Sequence, residues 1–212
     1  MTGETLSPLD AWARFLTLPE MTRQVFLRQV YMQELREAGR DQIAGAVTGG
    51  DNRGYSAVKT LFPGEDWRGD VLAGRAILRT MTGGDIRVMT PGGGFQVAGL
   101  GTEVGSGYGL VTLGSGRIEI FARNDVIVNR SRILTFSGGD EIIWSTLGDI
   151  DAGRGAKTAR LPLAPDIVTD QDGVTRIMER PNITGSGIGT IIGYAGVEPG
   201  DVDLIAPEGT VN

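Results

Sequence analysis

The chain has neither histidine nor cysteine. Their absence excludes Ser-His-Asp and Cys-His nucleophilic systems, histidine-zinc sites, thiolate chemistry and disulfides. Carboxylates, lysine or arginine chemistry and nucleotide-binding loops remain. Aromatic residues make up only 6% of the chain, and they form no row on which a sugar chain could stack. Positive charge is sparse: 20 Lys and Arg stand against 26 Asp and Glu, for a net charge of −6. With no basic run, a phosphate-binding surface for nucleic acid is excluded. Arg130 and Arg132 come nearest to a pair, and they read as a solvated strand face. No apolar run approaches the ~20 residues of a membrane span. The N-terminal segment carries Glu4, Asp10 and Glu20 where a signal peptide has a basic start and an apolar stretch. An export signal is therefore expected outside this chain. The lack of disulfides does not fix the compartment, because stacked repeats build a core without them.

What the chain has in excess is glycine: 34 residues, with nine prolines and no G-X-Y period. That is about double the usual share of roughly 7%, and it predicts many short strands joined by tight corners. The start of the chain differs. Ser7-Pro8-Leu9-Asp10 offers a capping hydroxyl, a proline at the first helical position and a carboxylate at the third, and Thr17-Leu18-Pro19-Glu20 repeats the device. A pair of helices follows, the second running from about Leu18 to Ala38 and stopping at Gly39. Met21, Val25, Met32 and Leu35 share one face of it while Phe26 and Val30 point elsewhere, so cover on two sides is expected. Trp12 and Phe15 bind the first helix to its neighbour. The expected organisation is a helical segment over 1–38, a Gly-rich linker over 39–56 and a β region over 57–212.

Within the β region five segments begin with glycine and a polar residue and continue with alternating apolar residues. They are Gly69-Asp70-Val71, Gly84-Asp85-Ile86, Gly116-Arg117-Ile118, Gly139-Asp140-Glu141-Ile142 and Gly200-Asp201-Val202. Alternation of this kind makes a half-buried strand. A second short strand follows most of them after a corner, as in Phe95-Gln96-Val97, Val126-Ile127-Val128, Ile150-Asp151 and Thr210-Val211. Strand, corner and strand in repetition predict a solenoid. The leading glycines are separated by 15, 32, 23 and 61 residues. Strict hexapeptide and nonapeptide repeats do not vary so, whereas a right-handed parallel β-helix tolerates loops of unequal length. The longest gap holds two β-prone runs, Asp166-Ile167-Val168-Thr169 and Val174-Thr175-Arg176-Ile177-Met178, around Asp172-Gly173. They predict a hairpin that protrudes from the stack over about 160–184 and returns near Gly185.

Three motifs are candidates for chemistry. Asp149 and Asp151 lie two apart with Ile150 inward between them, a spacing that would suit a glycosidase pair or calcium; the plainer reading is two solvent-facing carboxylates on a corner. Asp151-Ala152-Gly153-Arg154-Gly155-Ala156-Lys157-Thr158 approaches a phosphate loop but has Asp151 and Ala156 where that motif needs glycine. Gly185-Ser186-Gly187-Ile188-Gly189-Thr190 lacks the last glycine of a dinucleotide fingerprint. Both strings read as corners. Trp144 reads as interior packing. No catalytic, cofactor-binding or metal-binding residue is assigned.

Leu61-Phe62-Pro63-Gly64, Thr82 to Ile86, Pro91 to Gly94, Val128 to Arg132, Trp144-Ser145, Gly148 to Thr158 and Gly200 to Pro207 together resemble the conserved C-terminal region of filamentous haemagglutinin family exoproteins. The resemblance runs from about Leu16 to Val211. It implies a structural or adhesive segment of a long secreted β-helix at the bacterial surface, moved across the outer membrane by a partner transporter, without catalytic residues or cofactors. Its partners would be the rest of a longer exoprotein and an unnamed cell-surface receptor. The family's secretion domain and signal are not in the chain, which reads as a fragment or truncated product. Glu141 stands where an inward aliphatic is expected, which leaves the register of its strand open. The competing readings are a carbohydrate-active β-helix lyase or glycosidase using Asp149 and Asp151, and a degenerate adhesin remnant.

Overall fold

A computed structural model describes residues 6–45, 49–64, 66–98, 108–153, 160–161, 165–169, 171–178, 183–192 and 197–212. The chain divides into two compact units, Met1–Pro63 and Gly64–Asn212.

The first unit contains three helices, α1 (Pro8–Leu16), α2 (Glu20–Ile43) and α3 (Asp51–Leu61). The Ser7 side chain accepts the Asp10 N–H at 3.2 Å, so α1 starts as its capping residues predict. Thr17 instead closes α1: its hydroxyl donates to the Arg14 carbonyl at 2.7 Å, and α2 begins after Pro19. Phe15 meets Phe26 of α2 with ring centroids 5.2 Å apart, and Trp12 stacks on Phe15. Among the described residues the expected pair of helices is thus three, and residues 39–43 and 51–56 of the expected linker are helical. Helix α2 passes through Gly39 to Ile43, and α3 begins at Asp51 and takes up the end of the stretch that composition marks as loop. Here glycine serves close approach: a Cβ on Gly50 would sit 2.9 Å from the Gln42 amide nitrogen and 3.0 Å from the Ala38 carbonyl oxygen. Burial in α2 is confined to its second half, at Met32, Leu35, Arg36, Ala38 and Gly39, while Met21 and Val25 are exposed, so the expected two-sided cover is absent from its first half. Arg53 on α3 reaches Glu34 and Asp41 of α2, each at 2.7 Å, and these carboxylates raise the pKa of its guanidinium.

In the second unit the strands follow one another as β1 (Val71–Leu72), β2 (Ile77–Thr80), β3 (Ile86–Thr90), β4 (Phe95–Gln96), β5 (Gly109–Thr112), β6 (Ile118–Ala122), β7 (Val126–Ile127), β8 (Arg132–Phe136), β9 (Glu141–Ser145) and β10 (Ile150–Asp151). The short strands β11 (Arg160–Leu161), β12 (Asp166–Thr169), β13 (Thr175–Met178) and β14 (Ile183–Thr184) come next, then β15 (Gly187–Ile191) and β16 (Val202–Ile205). Three parallel sheets result: sheet A is β1-β4-β7-β10, sheet B is β2-β5-β8-β15 and sheet C is β3-β6-β9-β16. Chain order therefore visits A, B and C in turn, four times over, and Val211 bridges back to Ile150 of sheet A. Each sheet turns one face to a common core of Phe95, Leu110, Ile120, Val126, Ile133, Ile143 and Ile150.

Register explains the glycine spacing. In sheet C, Ile86 pairs with Ile118, Ile118 with Glu141 and Glu141 with Val202, so Gly84, Gly116, Gly139 and Gly200 stack at one corner. A Cβ on Gly116, Gly139 or Gly200 would collide with the carbonyl of the stacked glycine in the preceding circuit. Gly69 belongs to sheet A, which is why its distance to Gly84 breaks the series. The long gap holds two antiparallel pairs, β11 with β14 and β12 with β13, the latter turning at Gly173 with φ +78°. The hairpin's Ile167 and Ile177 are exposed. Residues 162–164, 170 and 179–182 of that excursion lie outside the described ones.

Candidate functional site

The carboxylates singled out by sequence sit at corners of the stack. Asp149 Oδ1 accepts the Thr210 N–H at 2.8 Å and the Thr210 hydroxyl at 3.0 Å, and Asp151 Oδ1 accepts the Gly153 N–H at 2.8 Å. Between them Ile150 is buried in the core, as alternation requires.

Asp149 is one of a series. Asp70 Oδ1 takes the Gly94 N–H at 2.8 Å, Asp85 the Arg117 N–H at 2.9 Å, Asp125 the Asp149 N–H at 2.8 Å and Asp140 the Asp201 N–H at 3.0 Å. Each carboxylate thus holds a backbone donor one circuit further along the chain. A hydrogen bond to an ionised acceptor is the stronger kind, and a corner leaves the donor without a ladder partner. The corner aspartate, which follows a glycine at 70, 85, 140 and 149 and Asn124 at 125, therefore latches one circuit to the next.

A second latch was missed at the sequence level. Thr112, Thr135 and Thr190 occupy one column of sheet B, and their hydroxyls donate to the carbonyls of Gly116 at 2.7 Å, Gly139 at 2.5 Å and Gly200 at 3.1 Å. The usable signal was a threonine four residues before Gly84, Gly116 and Gly139.

A shallow groove of about 240 Å³ runs over the outer face of sheet A, lined by Asp70, Leu72, Gln96, Asp125 and Ile127 among others. Its two carboxylates are those that hold Gly94 and Asp149. The groove presents acceptors and apolar surface, with no nucleophile beside a base. Among the described residues no three acidic side chains come together as metal ligands.

The remaining candidates resolve into structure. Gly187 to Thr190 form β15 and pair with β8, so that string is a strand and not a corner. Of the near phosphate loop, Asp151 to Gly153 end sheet A, and Arg154 to Thr158 lie outside the described residues. Trp144 is fully buried, but on the face of sheet C opposite the common core, since Ile143 takes the inward position. Arg130 is an exposed turn residue, while Arg132 corrects the solvated-face reading. Arg132 is 2% exposed, its Nε and Nη1 have no hydrogen-bond partner, and burial lowers its pKa.

Glu141 is buried as well, more completely than Arg36, Glu119 or Arg132. It keeps register between Ile118 and Val202 and is 0% exposed. The Thr135 and Gly189 backbone N–H groups pull its pKa down slightly, yet neither carboxyl oxygen completes a hydrogen bond. Burial dominates and pushes the pKa up to about 9, so the group is a neutral acid at pH 7.

Residues 138–212 match the model of a family described as filamentous haemagglutinin family outer membrane protein. The match covers the stretch from the third sheet C corner to the last residue, and it bears out the resemblance read from Trp144-Ser145, Gly148 to Thr158 and Gly200 to Pro207. No curated protein and no solved structure matches the chain. Among the described residues no helix is long and apolar enough to cross a membrane.

Proposed function

We propose, taking the family match over residues 138–212 as premise, that the chain is a structural and adhesive segment of a secreted filamentous haemagglutinin-like surface protein, its β unit a right-handed parallel β-helix. The observation that carries the reading is the cyclic visit of successive strands to three parallel sheets around one core. Such a stack presents long, regular outer faces on a frame that needs no disulfide. The candidate carboxylates hold backbone donors across the stack, which is framework chemistry. In this reading the chain does no catalysis, needs no cofactor, reaches the cell surface through an outer-membrane partner transporter, and works as part of a longer exoprotein against a surface receptor.

The test pairs two assays on the full chain. Beads coated with it are expected to adhere to host or bacterial cells above an uncoated control, and acidic and neutral polysaccharides are expected to stay intact in its presence. Polysaccharide turnover that Asp149→Asn abolishes would overturn the reading in favour of a carbohydrate-active enzyme.

A further inference from the structure

Glu141 sits in a column of sheet C that is otherwise aliphatic, Ile86, Ile118, Glu141 and Val202. Its carboxyl group has no complete hydrogen bond and no solvent. The two sides of this column are unequal. On one side β6 and β8 are buried along their whole length. On the other lie β15, half-buried throughout, and β16, which starts at the exposed Val202. These last strands are also separated from the stack by its longest insertion: Gly187 pairs with Arg132, and Val202 with Glu141.

We infer that Glu141 is a proton-operated latch on the fourth circuit: Gly187–Ile191 and Val202–Ile205 close over the stack when Glu141 carries its proton and are released when that proton leaves. An ionised carboxylate in this position must find water or a cation. Lifting β15 and β16 is the easier route to water, since β6 and β8 would have to surrender the packed core. No base stands ready to neutralise it among the described residues. From β6 it faces Ile118, with Glu119 on the opposite face paired to Arg87. From β8 it faces Thr135, with Arg132 on the opposite face; β15 offers Gly189 and no titratable group. From β16 it faces Val202, with Asp203 on the opposite face. The neighbouring corner holds Asp140 and Asp201, both acids.

The sign follows from linkage. The folded pKa of about 9 lies above the ordinary 4.5, so between these values the folded chain binds a proton that the unfolded chain does not. Stability is then fully present below the unfolded pKa and falls as pH rises through the window to the folded pKa, by about tenfold in the folding equilibrium per pH unit from this group.

Urea denaturation of the full chain from pH 5 to pH 9, for wild type, Glu141→Gln and Glu141→Ile, tests the linkage. The wild type is expected to lose stability with rising pH relative to both variants by about tenfold per unit. Glu141→Ile matches the aliphatic column and keeps the comparison open if the glutamine variant does not fold. Hydrogen exchange, corrected for intrinsic rates, tests the location. Peptides over 187–191 and 202–205 are expected to lose protection between pH 6 and pH 8.5 in the wild type only, while 118–122 stays protected. Parallel pH profiles in all three proteins would overturn the proposal, and so would loss of protection spread evenly over all strands.

Discussion

The first and third circuits of the β unit are made of similar residues and behave differently. Leu78 of the first is 42% exposed, whereas Ile133 of the third, in the same inward column of sheet B, is 0% exposed. A β-branched or leucine side chain in the inward register is buried by the strands before and after it, not by its own sequence. Stability in such a stack is a sum of neighbour terms, so the middle is the strong part and the ends open at lower cost.

Substituting matched core residues gives the largest contrast. Ile133→Ala is expected to cost 2–5 kcal/mol, about the range for emptying a packed site, and Leu78→Ala, in the same column, about 1 kcal/mol or less. Urea midpoints at pH 6 measure both. Similar losses at the two positions would mean that the first circuit is as well buried as the third.

Glycine sharpens the comparison at the corners. Gly139→Ala drives a methyl group into the Gly116 carbonyl and is expected to cost about 1–3 kcal/mol. At Gly189 the nearest atom to a Cβ is Leu134 Cδ2 at 4.0 Å. Gly189→Ala is therefore expected to change stability by under about 1 kcal/mol in either direction, helped by the smaller entropy of its unfolded chain. Thermal melts of the two variants side by side decide it.

The smallest effect is expected at the corner carboxylates. Asp149→Ala removes the acceptor for Thr210 and should cost about 1 kcal/mol, as for one or two partly exposed hydrogen bonds. Amide exchange at Thr210 should quicken while that of Ile120 does not change. Equal quickening at both sites would show that Asp149 supports the whole stack and not one corner.

These contrasts also show what the sequence could tell. Gly84, Gly116, Gly139 and Gly200 are spaced by the same 32, 23 and 61 residues as their strands are offset in sheet C, so the strands of one sheet were readable directly, and its register too except at Glu141. Sheet A was readable as the strand after each corner. Sheet B was not, because Ile77, Gly109, Arg132 and Gly187 share no leading residue; its mark is a threonine column, Thr80, Thr112, Thr135 and Thr190, of which the last three bond back to the corner glycine, visible only once the corner is known. Helix α3 was hidden because Gly39, Gly50 and Gly54 look like loop composition, whereas in the structure Gly39 and Gly54 are buried and Gly50 lies against the α2 backbone. At the candidate site, the inward Ile150 between two outward aspartates followed from alternation alone. The partner of Asp149 did not, since Thr210 is 61 residues away, and no local pattern carries contacts over that distance. Glu141 could be marked as out of place, but its pairing could be settled only by the strands on either side.

The central claim, that successive circuits lie in register around one core, is tested most directly by cross-linking. The chain has no native cysteine, so an engineered pair meets no background. Gln96 and Ile127 are partners in sheet A, and Ile127 is in turn the partner of Asp151. Strands in a sheet lie about 4.8 Å apart, within the Cα separation that a disulfide spans, and residues two strands away do not. The account predicts that Gln96→Cys with Ile127→Cys, and Ile127→Cys with Asp151→Cys, oxidise to intramolecular disulfides, while Gln96→Cys with Asp151→Cys stays reduced. Ready cross-linking of that last pair, with none in the first two, would contradict it.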